Sequence, residues 1–220
     1  MVNKQWIPIA ICGWFVLNVF GVPFTAQGSN WVLLSIFLQQ LWLFFCGWMA
    51  INKMSIFSWN IGDVIVGIVA GLAMFILNGL VGYGTVAGLS VVYGTETVTQ
   101  WLAQERAGVE SLLTSADQNT PWGLFFLVTL GASLSEEVFF RGAWLNSLNT
   151  VVSQKLAVIL TALFFAAVHF YIIQFLPVFL SGIILGALFI RKKNLLCPII
   201  AHIVVNILVF VLYVKSLALF

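Results

Sequence analysis

Seven stretches of this chain are apolar over about the thickness of a bilayer core, and that fixes the solvent in which it folds. A helix needs roughly 20 apolar residues to cross the hydrocarbon. Stretches of that kind lie near 6–25, 31–50, 61–83, 121–146, 156–172, 174–190 and 195–218. The chain is 62% hydrophobic and only 7% charged, against about 25% charged in a soluble domain. So little polar surface cannot face water. The expected fold is all-α: a polytopic transmembrane helix bundle of about seven or eight helices plus an amphipathic surface helix. One membrane domain is expected over 1–220, with the chemistry carried by 121–218.

The ends of the spans support this reading. Trp31, Trp48, Trp59, Trp122 and Trp144 fall near proposed span ends, as an aromatic belt places them. The one long polar stretch, Gly84 to Thr120, contains Val98, Leu102, Val109, Leu112 and Leu113 at near-helical spacing. That pattern predicts an amphipathic helix on or over the membrane. The first apolar run reads as a retained span rather than a cleaved signal: with Ala26 as the last residue removed, bulky Phe24 would occupy a position that favours small side chains. Cys12, Cys46 and Cys197 lie far apart in apolar segments and read as small buried hydrophobes.

Basic residues set the orientation. With the N-terminus in the cytoplasm, Lys4, Lys53, Lys155 and the run Arg191 to Lys193 all fall inside. Arg106, Lys215 and the loop acids Glu96, Glu105, Glu110 and Asp117 then fall outside, as does the C-terminus. The net charge of +2 is too small to suggest a nucleic-acid partner. Gly67 with Gly71 and Gly182 with Gly186 form GxxxG spacings that permit close helix contact. Asp63 reads as a span-end residue, facing water and the positive end of its helix.

The fourth apolar stretch nonetheless carries three charges, in "SLSEEVFFRGAW". One charge at the centre of a membrane helix costs about 2.5–3.5 kcal/mol on insertion scales, and ionisable groups there default to functional hypotheses. Glu137 and Arg141 are i,i+4 and share a face, so they can pair. Glu136 is rotated about 100° from Glu137 and is left for another partner. The only two histidines also fall in predicted spans. His169 follows Phe165 at i+4, so that ring can pack under the imidazole, and His202 precedes Asn206 at i+4. At about 1.5 Å per residue, Glu136, His169 and His202 fall in one broad layer at or just inside the midplane, where a cavity could join them.

These segments resemble a known family. "EEVFFR", "FAAVH" and "HIVVN" match, in order, the EExxxR, FxxxH and HxxxN motifs of the CPBP family of CAAX proteases and bacteriocin-processing enzymes, also called Abi. The resemblance spans about 136–206 and implies an intramembrane endopeptidase of glutamate type. It implies that Glu136 and His169 activate a water, that His202 and Asn206 hold the oxyanion, and that Glu137, Arg141 and Phe165 support them. It implies no cofactor. Its substrate would be a membrane-associated peptide or protein, and its small size points to a prokaryotic cell membrane. The first three spans carry no signature of the family, and substrate choice is expected to be set there. Three rival readings remain. A zinc protease would use Glu136, His169 and His202 as ligands around a water, although there is no HExxH. A non-catalytic immunity or regulatory protein would act by binding a partner. A transporter would use the buried charges, but no repeat of the usual kind is present.

Overall fold

The computed structural model describes residues 2–25, 28–51, 56–114 and 120–217. Among these, every regular element is a helix: α1 Trp6–Thr25, α2 Ser29–Ile51, α3 Ile61–Tyr93, α4 Thr95–Leu113, α5 Thr120–Leu148, α6 Gln154–Ala167, α7 Phe175–Lys192 and α8 Leu196–Leu217. Helices α2, α3, α5, α7 and α8 are long and apolar enough to cross a membrane. Helix α1 is apolar over its described side chains, and α6 is apolar but short. The expected Lys53, Asp117 and Ala26 roles lie outside the described residues.

Two boundaries differ from the sequence expectation. Helix α3 continues ten residues past the expected end at 83, through "GTVAGLSVVY", and stops only at Gly94, whose φ of 84° breaks the helical path. No proline interrupts that stretch, and its Val and Leu side chains keep it apolar enough to extend the span. The span expected at 156–172 is instead helical only to Ala167. Residues 168–174 form an irregular turn with Phe170 at φ 55°. His169 therefore sits in a break between two helices rather than inside a span.

Glycines set the helix approach distances. A Cβ on Gly67 would lie 2.8 Å from the Cys197 carbonyl oxygen, and one on Gly71 would lie 2.7 Å from that of Ala201. The first GxxxG is thus the seam between α3 and α8. The second joins α7 to α6, with Gly182 over Ala162 and Gly186 over Val158. That register makes α6 and α7 antiparallel.

Polar staples close one end of the bundle. Asn60 caps α3, its Oδ1 accepting from the Gly62 N–H at 2.8 Å. Asp63 is buried, paired with Lys192 at 2.9 Å and accepting from the Asn194 amide at 2.8 Å. It does not simply face water as expected: the α7–α8 turn folds over it. Lys4 donates to Thr150 at 2.9 Å at the same end. Trp31, Trp48 and Trp122 are exposed on the outside of their helices and Trp59 is exposed just before α3, whereas Trp144 packs on Phe164 at 4.9 Å. Cys46 and Cys197 are buried, but Cys12 faces outward from α1.

Helix α4 has the expected amphipathic form, with Val98 and Leu112 buried and Leu102, Val109 and Leu113 half-buried on the same side. It follows α3 directly and packs back against the bundle. The Tyr93 and Trp101 rings meet at 5.2 Å, and Arg106 lies over the Tyr213 ring at 5.6 Å.

Candidate active site

Helix α5 carries the charges, and it is not a uniform α-helix. It widens to π geometry over Leu127–Gly131 and again over Glu137–Leu145. Such bulges weaken the backbone ladder and recur at functional sites. Side chains compensate within the helix: Thr129 Oγ donates to Phe125 O at 2.6 Å and Ser135 Oγ to Gly131 O at 2.8 Å. Neighbouring helices do the same. Gln40 of α2 donates to Leu127 O at 3.0 Å, and Asn206 of α8 donates to Val128 O at 2.8 Å.

Glu136 and Glu137 straddle the start of the second widened stretch and face different surroundings. Glu137 is fully buried. Its Oε1 accepts from Arg141 Nη1 at 2.7 Å and from His202 Nδ1 at 2.8 Å. Arg141, also fully buried, donates from Nη2 to the Gly182 carbonyl at 3.3 Å and lies over the Phe165 ring at 4.6 Å. A guanidinium buried this way is tolerable only because carboxylate, carbonyl and ring face share its charge.

Glu136 keeps an 18% exposed side chain and approaches His202 Nε2 at 3.8 Å, beyond hydrogen-bond range. It lines a cavity of about 410 Å³ bounded by α1, α2, α5, α6 and the turn after α6. His169 and Tyr171 line the same cavity, and apolar rings from Trp14, Phe139, Phe140 and Phe164 form much of its wall. The His169 ring meets Phe165 edge-on at 4.8 Å. Its Nδ1 lies 2.7 Å from the Phe165 carbonyl. A carbonyl only accepts, so Nδ1 carries the hydrogen and Nε2 keeps its lone pair. The same logic puts a hydrogen on His202 Nδ1, which faces the Glu137 carboxylate.

Residues 118–208 match the family model described as type II CAAX prenyl endopeptidase Rce1-like. That model is one of the CPBP family, and it covers less than half of the chain. No curated protein and no solved structure matches the chain. The description is that of a CAAX-type protease, a hydrolase.

All three CPBP motifs fall inside the matched segment, and the fold brings most of their residues together. Glu136 and His169 share the cavity, while His202 bridges the space between Glu136 and Glu137. Phe165 lies between His169, Arg141 and His202, with its ring 6.0 Å from that of His202. Asn206 stands one turn further along α8. Its amide is turned to Val128 O, with Ser133 Oγ at 3.4 Å, and it does not line the cavity.

Among the described residues, no three His, Cys, Asp or Glu side chains are grouped as a metal site requires. Each imidazole commits Nδ1 to another protein group and leaves Nε2 as its free nitrogen, and Glu136 meets only one of the two rings.

Tyr171 was not singled out in the sequence, though it stands two residues after the FxxxH histidine. Its ring lies 5.7 Å from that of His169. Its phenol hydroxyl adds a hydrogen-bond donor to the groups that line the cavity.

Proposed function

We propose that this chain is an intramembrane endopeptidase that hydrolyses a peptide bond in a membrane-associated peptide or protein. The observation that carries this reading is the shared cavity of Glu136 and His169. A water there meets a carboxylate and an imidazole Nε2, both acceptors. Glu136 takes one proton from it, and His169 Nε2 holds the other hydrogen and aims the oxygen. The oxygen adds to the carbonyl carbon, and the carbonyl electrons move onto the oxyanion. Collapse breaks the C–N bond as the proton passes from Glu136 to the leaving amine.

The oxyanion requires preset donors. His202 presents Nε2 towards Glu136. With Nδ1 committed to Glu137, Nε2 is the edge of the ring left to face the oxyanion, and it donates there when it carries a hydrogen. Asn206 is assigned the second donor, which requires its amide to turn from Ser133 Oγ, 3.4 Å away, towards the cavity. Glu137, Arg141 and Phe165 hold these groups in register. No cofactor enters the scheme.

The same reading puts the N-terminus in the cytoplasm. Lys4 contacts Thr150, Lys155 opens α6, and the antiparallel α6–α7 pair carries Arg191 to Lys193 to that end. The basic residues therefore gather at one end, as the positive-inside bias requires.

Glu136→Gln keeps the shape of the side chain and removes the base. Membrane peptides from cells carrying wild type and Glu136→Gln are compared by mass spectrometry. Accumulation of one or a few uncleaved substrates in the variant is the expected result. An unchanged peptide pattern, with biological function intact, replaces the peptidase with a protein that acts by binding.

A further inference from the structure

We propose that Glu105, on α4, is a positioning residue that holds the His169 turn in its working shape. The inference rests on the peptidase reading above, because it concerns how the base's partner is kept in place. Helix α4 lies outside the segment that matches the family model, which covers residues 118–208.

The need arises from the broken span. Helix α6 has 14 residues, about 21 Å at 1.5 Å per residue, against a hydrocarbon core of about 30 Å. The chain thus leaves helical geometry before α6 has covered the core. Irregular backbone in such a setting persists only where protein satisfies its polar groups. On the α6 side the turn looks after itself. The N–H groups of Val168, His169 and Phe170 bond to the carbonyls of Phe164, Ala166 and Ala167, and His169 Nδ1 takes that of Phe165.

On the α7 side the amides point outward from the helix start and have no such local partner. Glu105 provides it. Its Oε1 accepts from the N–H groups of Ile172 and Ile173, the latter at 2.7 Å, and its Oε2 accepts from that of Gln174 at 3.3 Å. One carboxylate from α4 therefore binds three consecutive amides at the positive end of α7, where a negative charge is favoured. The turn so fixed carries three cavity residues, Val168, His169 and Tyr171. Helix α4 can bear the load because Val98 and Leu112 bury it against the bundle. Without the carboxylate the three amides need other acceptors and the turn repacks, displacing His169. A shift of about 1 Å at a reacting group can cost about a hundredfold in rate.

The test uses the full chain in nanodiscs, with Glu105→Ala, Glu105→Gln and Glu136→Gln beside wild type. The Gln side chain keeps an oxygen acceptor for the amides of Ile172 and Ile173. Two measurements are made: hydrogen exchange of the peptide covering 168–176, and steady-state cleavage of an internally quenched apolar peptide chosen for turnover by wild type. Glu105→Ala is expected to speed exchange in that peptide and to lower kcat about 10- to 100-fold, with KM moved less than about threefold. Glu105→Gln should recover most of both. Wild-type exchange and kcat in Glu105→Ala, while Glu136→Gln is inactive, overturn the positioning role and leave the peptidase standing. A loss in Glu105→Ala that Gln does not restore overturns it too. Cleavage by Glu136→Gln at the wild-type rate instead strikes the peptidase reading itself.

Discussion

Glu137 and His202 meet at 2.8 Å, so the second glutamate of the first motif orients the histidine of the third. The same oxygen holds Arg141 at 2.7 Å. This one atom joins α5 to α8 and, through the guanidinium, to the α7 backbone at Gly182. Glu137→Ala strands a buried guanidinium, and it is expected to lower stability by about 3–5 kcal/mol. Thermal unfolding in detergent reads this. Replacing both charges, as Glu137→Ala with Arg141→Met, should return much of the loss, because a buried ion pair is often no more stable than apolar residues of similar volume. A single variant as stable as wild type would show that the pair carries no structural weight.

Asn206 has two duties that separate by measurement. Its bond to Val128 O serves the widened part of α5, and its second hydrogen is assigned to the oxyanion. Asn206→Ala is expected to cost about 1 kcal/mol in stability for the lost bond. It should lower kcat about a hundredfold or more for the lost donor. A stability loss with unchanged kcat would confine Asn206 to packing.

Gly71 and Gly84 lie on one helix and predict opposite outcomes. A Cβ at Gly71 meets Val204 Cβ at 2.7 Å, whereas one at Gly84 meets nothing within 4 Å. Gly71→Ala should destabilise by about 1–3 kcal/mol through overpacking. Gly84→Ala should stabilise by up to about 1 kcal/mol through helix propensity. Paired unfolding curves decide, and equal effects would mean that α3 and α8 are not in close contact.

Orientation is read with reporters fused after residue 152 and within 105–110. The α5–α6 turn is expected to report the cytoplasm, and α4 the far side. The reverse pattern would turn the bundle over.

The spans and their seams were legible because bilayer depth and small-residue spacing are local properties of sequence. The Glu137–Arg141 pair was legible too, since four residues place two side chains on one helical face. The break at His169 was not. "FFAAVHFYIIQF" is apolar but for His169 and Gln174, and hydropathy does not distinguish a helix from an irregular turn whose amides are satisfied elsewhere. Its partner, Glu105, stands 67 residues away from Ile172 in a stretch that reads as an ordinary solvated face. The link from Glu137 to His202 was hidden for the same reason: it is a contact between helices, and no spacing along one helix encodes it.

The wall of the cavity opposite Glu136 is built by Ile11, Trp14 and Phe15 of α1 and by Ile36 and Gln39 of α2. All of them precede the segment that defines the family. On the proposed peptidase reading, the hydrolytic groups and this apolar wall lie on separate stretches of polypeptide, so the first two helices are where cargo could be altered without touching the chemistry.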